Sequence, residues 1–169
     1  MSQTEHSSVA RVKAAFTKAG IEPEVRQLLD TARTALDAAN ALSVTVGQIA
    51  SSIVFSSDLD GGRVPVLVIT SGRHRVDTDL VCSTTSLTAL HRVDADFVRT
   101  WSGFAIGGVS PVGWAHDGST YQPLTFVDAS LAEYDEVWAA AGHTHVVFKT
   151  NFTELLTMTG GTALSVSND

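Results

Sequence analysis

The sequence predicts a single α/β or α+β domain in which helices pack around a mixed sheet. Three observations carry this reading. The 169-residue chain is 44% hydrophobic and only 17% charged, enough for one core that hides roughly two-thirds of the unfolded surface. Its strand-like and helix-like segments are interleaved without strict alternation, which argues against a doubly wound parallel sheet. Finally, SIVF (52–55) and VPVLVIT (64–70) flank Asp60-Gly61, a strong hairpin turn.

Each element has a local reason. Ser8 is positioned to cap a helix from Val9 to about Ala19, with Val9, Val12, Phe16 and Ala19 on one face and Gly20 as the stop. An extended piece near Glu24–Leu29 precedes an alanine-rich helix that presents Ala35, Leu36, Ala39 and Leu42. Thr45 and Gln48 have capping-box spacing and open a brief helix ending near Ala50. Pro65 sits at the start of the second hairpin strand, where a missing donor is tolerated. The stretch from Arg75 to Asp94 predicts one or two helices starting at Asp77 or Thr78. Asp94 or Asp96 then caps a helix carrying Phe97, Val98 and Trp101, which Gly103 ends. PLTFVD, EVWAAA and HVVFK read as strands. Asn151 and Glu154 form a second capping-box pair, opening a last helix that stops at Gly160-Gly161.

Composition narrows the function classes. Net charge is −7, from 11 Lys+Arg against 18 Asp+Glu, and no basic stripe for a long run of phosphates is visible. Arg63, Arg73 and Arg75 around the hairpin read as a solvated face, and DNA is not an expected partner. No apolar run approaches the roughly 20 residues that span a bilayer. The start, MSQTEHSSVARVKAAF, lacks the basic and apolar regions of a leader, so a cytoplasmic home is expected. Cys82 is the only cysteine and reads as a small buried hydrophobe.

Three segments carry the functional signal. GGVSPVG (107–113) is a loop of two glycines stiffened by Pro111, whose bare N–H groups suit a carboxyl-derived or phosphate oxygen. From these residues alone, a chain-reversing turn is the simpler reading. The other two segments are QIASSIVF (48–55) and GHTHVVFKT (142–150). In order and spacing the three resemble the YbaK/EbsC family of aminoacyl-tRNA deacylases, relatives of the bacterial prolyl-tRNA synthetase editing domain. The resemblance runs from about Val9 to Gly161, within one domain expected to span 1–169. It implies a mixed, mostly antiparallel sheet surrounded by helices, and a hydrolase that removes a wrongly attached small amino acid at the acceptor end of an aminoacyl-tRNA. No phosphate-binding Gly-x-x-x-x-Gly-Lys, dinucleotide fingerprint or zinc spacing occurs, so no cofactor and no metal are expected. Carried over by position, the catalytic candidates are Ser51, Gly107, Gly108 and His143. The substrate-binding candidates are Ser52, Val109, Ser110, Pro111, Gly142 and His145.

Two departures from the family pattern stand out. Many active relatives have a lysine where this chain has Ser51, which offers a hydrogen bond but no charge. Some relatives have a carboxylate shortly after the glycine of the third segment, where this chain reads Val146-Val147-Phe148. Such a chain also fits a second class, a domain that keeps the pocket and binds a small ligand or a protein without catalysis. Convergence of Arg63, Arg73, Arg75 and Lys149 near the glycine loop would favour tRNA; scattering would favour the binding domain.

The remaining motifs have plainer explanations. Ser110 is not a hydrolase nucleophile, because Val112 occupies the second glycine position of Gly-x-Ser-x-Gly. His143 and His145, two apart, would share one face of a strand but lack a third metal ligand in sequence. They read as exposed residues or as the pocket rim, where a neutral imidazole can orient water. Asp77, Asp79, Asp94 and Asp96 read as helix caps, and Trp101, Trp114 and Trp138 as packing, with Trp114 closest to the loop.

Overall fold

The structure is a computed structural model that describes residues 6–168. Residues 1–5 and 169, part of the expected domain and of the N-terminal stretch read for a leader, lie outside the described residues. The elements in chain order are helix α1 (Ser7–Lys18), strand β1 (Val25–Gln27), α2 (Ala35–Leu42), β2 (Ile49–Leu59), β3 (Gly62–Ser71), α3 (Thr78–Thr84), β4 (His91–Arg92) and α4 (Ala95–Ser102). There follow β5 (Trp114–His116), β6 (Ser119–Tyr121), β7 (Leu124–Asp128), β8 (Val137–Ala140), β9 (Val146–Thr150), α5 (Phe152–Thr159) and β10 (Thr162–Leu164). Single 3₁₀ turns span Val46–Gln48 and Ala129–Glu133.

The main sheet has the order β1-β9-β8-β2-β3-β7-β10, with β4 also pairing with β2. Its backbone is the long antiparallel β2–β3 hairpin, in register from Ala50↔Ser71 to Leu59↔Gly62. β1–β9, β8–β9 and β2–β4 are antiparallel, whereas β2–β8, β3–β7 and β7–β10 are parallel. This is the mixed, largely antiparallel sheet surrounded by helices that the sequence implied.

Alternation along the strands gives each face its own cover. On one face Ala50, Leu67, Ile69, Val127, Ala139 and Phe148 pack with Val9, Val12 and Phe16 of α1, Val98 of α4 and Leu155 of α5. On the other face Phe55, Val66, Val68 and Phe126 lie under Val81 of α3, Leu87 and Val166, while Ile49 and Trp138 lie under Ala39 and Leu42 of α2. Two separate covers on this second face leave room between them.

Several local expectations shift. The first helix begins at Ser7 with His6 as its cap, because the His6 ring accepts the Ser8 N–H. The Thr45/Gln48 capping box is present, but it opens only a 3₁₀ turn before β2 starts at Ile49. Asp77 caps a single helix, α3, and the following residues lead to the short strand β4 instead of a second helix. Pro65 precedes Val66, the first β3 residue paired with β7, so its missing donor falls where that edge is still open. The β5–β6 hairpin was not foreseen, although Asp117-Gly118, both at positive φ, carries the same turn signal as Asp60-Gly61.

Gly142 has φ +101°, and a Cβ there would stand 2.7 Å from the Ser8 carbonyl oxygen and 2.8 Å from Val12 Cγ2. Gly142→Ala is therefore expected to cost about 2–4 kcal/mol, read as a lower urea midpoint at unchanged slope. Gly20→Ala, also at positive φ but in open space, should cost about 1 kcal/mol.

Candidate functional site

The site begins with a break in the sheet. On one edge β2 pairs with β8 at Ile49 and Ala50 and with β4 at Phe55 and Ser56, so Ser51–Val54 have a strand on the β3 side alone. The Ile49 carbonyl accepts the Gly72 N–H at 2.8 Å, which turns Ile49 toward β3. By antiparallel alternation, Ser51 and Ile53 also face β3, and the main-chain groups of Ser52 and Val54 are directed at the break. The Ser52 hydroxyl oxygen is buried and has no hydrogen-bond partner among the described residues. Leaving such a group unpaired costs about 1–3 kcal/mol.

The glycine loop and the histidine turn are pressed together. A Cβ on Gly108 would meet the His143 Cα and carbonyl carbon at 2.9 Å and the Thr144 nitrogen at 3.0 Å, so only glycine permits this backbone contact. Val109 of the loop and Ala141 before the turn share an apolar cluster with Ala50, and Val54 and Val93 pack against it. The Gly108 N–H is not bare, because it donates to the Ala105 carbonyl at 3.0 Å. Gly107, exposed at φ +93°, remains the open glycine. Ser110 is fully buried; its hydroxyl accepts the Val112 N–H and its carbonyl accepts Trp114 Nε1 at 2.7 Å. Trp114 thus braces the loop from the core and offers no stacking face. Pro111 is buried beside it.

The histidine spacing argument fails, because 143–145 form a turn before β9 and not a strand. His143 is exposed and its ring stacks on His6 with centroids 4.3 Å apart. His145 adopts φ +69°, and its carbonyl accepts the Leu28 N–H at 2.6 Å, tying the turn to the β1 segment. Among the described residues no group of three or more His, Cys, Asp or Glu side chains gathers as a metal site.

Ser51 points elsewhere. It lines a cavity of about 680 Å³ on the second face, between Ala35 of α2 and Thr78 of α3. Thr70, Ser71, His74, Arg75 and Arg92 also line it, whereas Gly107–Pro111 and Gly142–His145 do not. Behind the wall lies Asp128, with 2% of its side chain exposed. It accepts from His74 Nδ1 and the Ser71 N–H, both at 2.9 Å, and from Thr70 Oγ1 at 3.4 Å. Its other oxygen accepts from the Ser130 N–H at 2.9 Å and hydroxyl at 2.8 Å. Burial alone would raise the Asp128 carboxyl pKa, but the Ser71, His74 and Ser130 donors together hold it below the usual carboxylate value.

The structure therefore presses the glycine loop against the histidine turn, leaves the Ser52 hydroxyl buried without a partner among the described residues, and puts Ser51 on a separate cavity. The four named cations scatter. Arg63 bonds Ser56 and lies over Phe97, Arg73 pairs with Glu133, Lys149 pairs with Glu24, and Arg75 alone reaches the cavity. His74, Arg92 and Asp128 went unmarked in the sequence. Asp128 stands four residues after Leu124 at a strand end, where a buried acid signals a cap, but nothing in sequence links it to His74. Cys82 is half-buried against the second core cluster, and burial pushes its thiol pKa up, which suits packing and not nucleophilic work.

The aminoacyl-tRNA editing domain family matches residues 30–158. An uncharacterized protein, YwhH of Bacillus subtilis (strain 168), is 28% identical over 135 residues, 80% of each chain. A solved candidate trans-editing enzyme for prolyl tRNA synthetase is 33% identical, with a TM-score of 0.82 over 98% of this chain and 100% of that one. A scaffold protein used in epitope backbone grafting by computational design is 30% identical, with a TM-score of 0.85 over the same shares. Hypothetical protein APE2540, 21% identical with a TM-score of 0.77 over 92% of this chain and 98% of its own, is alike in fold.

Independently of these likenesses, Asp128→Asn is expected to destabilise the protein by about 2 kcal/mol at neutral pH. A depressed folded-state pKa contributes stability that is present above the unfolded value, about 3.9, and is lost as pH falls through the folded one. The difference between wild type and variant should therefore be full at pH 7 and shrink below about pH 4, read from urea midpoints across that range.

Proposed function

Since this chain belongs to the aminoacyl-tRNA editing domain family, we propose that it is a trans-acting deacylase hydrolysing the ester of a tRNA mischarged with a small amino acid. The observation that carries this reading is the break in β2, where the main-chain groups of Ser52 and Val54 have no strand partner. Val109 of the glycine loop and Ala141 before the histidine turn lie in the same apolar cluster as Ala50, with Val54 packed against it. An aminoacyl ester is already activated, so holding it against fixed donors and supplying water suffices for useful acceleration. Water oxygen bonds to the ester carbon, negative charge gathers on the former carbonyl oxygen, and the ribose oxygen leaves with a proton. The Gly107 N–H and the Ser52 hydroxyl support that oxyanion. Since the Gly108 N–H is already engaged, Gly108 serves by its size, letting the loop meet the turn. His143 orients the water, its ring steadied by the stack on His6. The neighbouring ribose hydroxyl passes the proton. Val109 and Ala141 limit the space for the amino-acid side chain, a sieve by size.

A second reading, ligand binding without catalysis, is favoured by Ser51 in place of the family lysine, by Val147 near the missing carboxylate, and by the scattered cations. One assay separates the two: release of amino acid from tRNAs charged with alanine, serine, cysteine or proline. Editing predicts release of one of them well above the spontaneous rate, and a drop of about tenfold to a hundredfold in kcat/KM for His143→Ala/His145→Ala. No release from any of the four, together with stoichiometric ligand binding, would establish the binding domain.

Ser52→Ala gives a sharper split. It removes a buried hydroxyl without a partner, so thermal stability should hold or rise slightly, while kcat/KM falls about tenfold. A loss of both would mean that Ser52 is structural.

A further inference from the structure

Of the six histidines in the chain, His74 alone is held by a buried carboxylate among the described residues. Its side chain is 7% exposed and that of Asp128 2%, with Nδ1 lying 2.9 Å from Asp128 Oδ2. By contrast, His116 meets Asp117, an acid on the surface, and His6 and His143 stack on each other in the open. Asp128 is fixed in its turn. Oδ2 also accepts the Ser71 N–H at 2.9 Å, and Oδ1 accepts the Ser130 N–H at 2.9 Å and hydroxyl at 2.8 Å. Burial works against ionisation, but the Ser71, His74 and Ser130 donors outweigh it and hold the carboxyl below its usual value. At neutral pH the carboxylate is therefore ionised and can only accept. Ser130 Oγ, 3.3 Å from Nδ1, spends its own proton on Asp128 and gives none to the ring. The neutral His74 ring thus carries its proton on Nδ1 and keeps a lone pair on Nε2.

That lone pair has no partner among the described residues, and His74 lines the cavity of about 680 Å³. With Nδ1 turned to Asp128 behind the wall, the opposite nitrogen is the one turned to the cavity. Three of the four residues of the break in β2, Ser51, Ile53 and Val54, line the same cavity. Thr70, paired across from Ser51, gives its hydroxyl to Asp128 at 3.4 Å, so the hairpin and the histidine are tied to one acid. The main chain steadies the ring as well, because the His74 N–H donates to the Ser71 carbonyl at 2.9 Å. No carboxylate lines the cavity. The charged groups facing it are Arg75, next in the chain, and Arg92 of β4, while Arg73 on the other side of His74 is paired with Glu133.

We infer that His74 is the general base of the ester hydrolysis, held in its working tautomer by Asp128. This assignment rests on the editing reading for its substrate, and it gives the proton of the attacking water a protein acceptor that the reading lacks. As the water oxygen bonds to the ester carbon, the water proton passes to Nε2 and the ring becomes an imidazolium. Arg75 and Arg92 oppose a positive ring, but the ionised Asp128, 2.9 Å from Nδ1, is the nearer charge and stabilises it. When the ester C–O bond breaks, the proton returns through the neighbouring ribose hydroxyl to the departing oxygen, and the ring is neutral again. An imidazole fixed by a buried acid and open to water on its other nitrogen is suited to this work near neutral pH. His143 lies on the surface without such an acid, so it orients water and does not hold the proton.

The test is amino-acid release from charged tRNA, run beside hydrolysis of p-nitrophenyl acetate, for wild type, His74→Asn and His74→Ala. Asparagine keeps an amide N–H where Nδ1 stood, so the bond to Asp128 and the urea midpoint should hold while the base is gone. His74→Asn should lower kcat for release about a hundredfold and leave KM within about twofold. Wild-type kcat should fall toward acid pH as the ring takes up a proton, and His74→Asn should lack that limb. Imidazole added to His74→Ala should raise its rate about tenfold, which a merely structural role would not allow. Hydrolysis of p-nitrophenyl acetate, which needs no tRNA, should fall about tenfold in His74→Asn. Unchanged kcat in His74→Asn would overturn the inference. So would an acid limb that survives the substitution, or a loss that follows a lowered urea midpoint and ignores imidazole. Release that is indifferent to His74 removes this inference alone. Absence of release, with ester hydrolysis that still depends on His74, removes only the editing reading, and absence of both removes both.

Discussion

Close contact of bare backbone is the constraint on which the rest of this structure depends. Gly108 meets the main chain of His143 and Thr144, Gly142 meets the Ser8 carbonyl, and Gly113 meets the backbone of Val12, each nearer than any side chain allows. These contacts bring the loop after α4, the turn before β9 and the first helix together. A methyl group at Gly108 would drive the loop off the turn, and a methyl at Gly142 would drive the turn off the helix. The glycines matter less as flexible residues than as absent side chains. Trp114 adds a tie to this clamp from the core by donating its Nε1–H to the Ser110 carbonyl.

That clamp makes an unusual opening tenable. A central strand with four residues unpaired on one edge leaves polar backbone without partners, which folded proteins seldom allow away from water. Here β8 peels away after Ala50 and β4 arrives only at Phe55, so the opening is bounded by structure at both ends. The continuous β2–β3 ladder holds the strand in place regardless. At the far end of β3, Asp128 ties the Ser71 N–H, the His74 ring and Ser130 into one buried cluster. The hairpin is thus anchored at the end where the cavity lies, and the cavity wall is as fixed as the gap.

The departures from the family pattern change character in three dimensions. Ser51 replaces a charged residue, and in sequence that reads as a loss. In the fold Ser51 faces a cavity that two uncommitted arginines already line, Arg75 and Arg92, while most other cations are spent on local acids or carbonyls. Ser51, Arg75 and Arg92 line one cavity, a neighbourhood that no single segment of the sequence shows.

Much of this was legible from residues alone. The hairpin at Asp60-Gly61, the caps Asp77, Asp94 and Asn151, and the stop at Gly103 follow from local chemistry that acts within a few residues, and each stands where that chemistry puts it. The three segments that carry the resemblance also declared that the glycine loop and the histidine turn belong together. What only the tertiary structure decided are relations between distant positions. These are the break in β2, set by where β8 and β4 leave it; the spent Gly108 N–H; the burial of Ser110; and the meeting of His74 with Asp128 and of Arg75 with Arg92. Local propensity is short-ranged and written in neighbouring residues. Strand partnership and charge neighbourhood depend on which segments the core brings side by side, and no single segment encodes that.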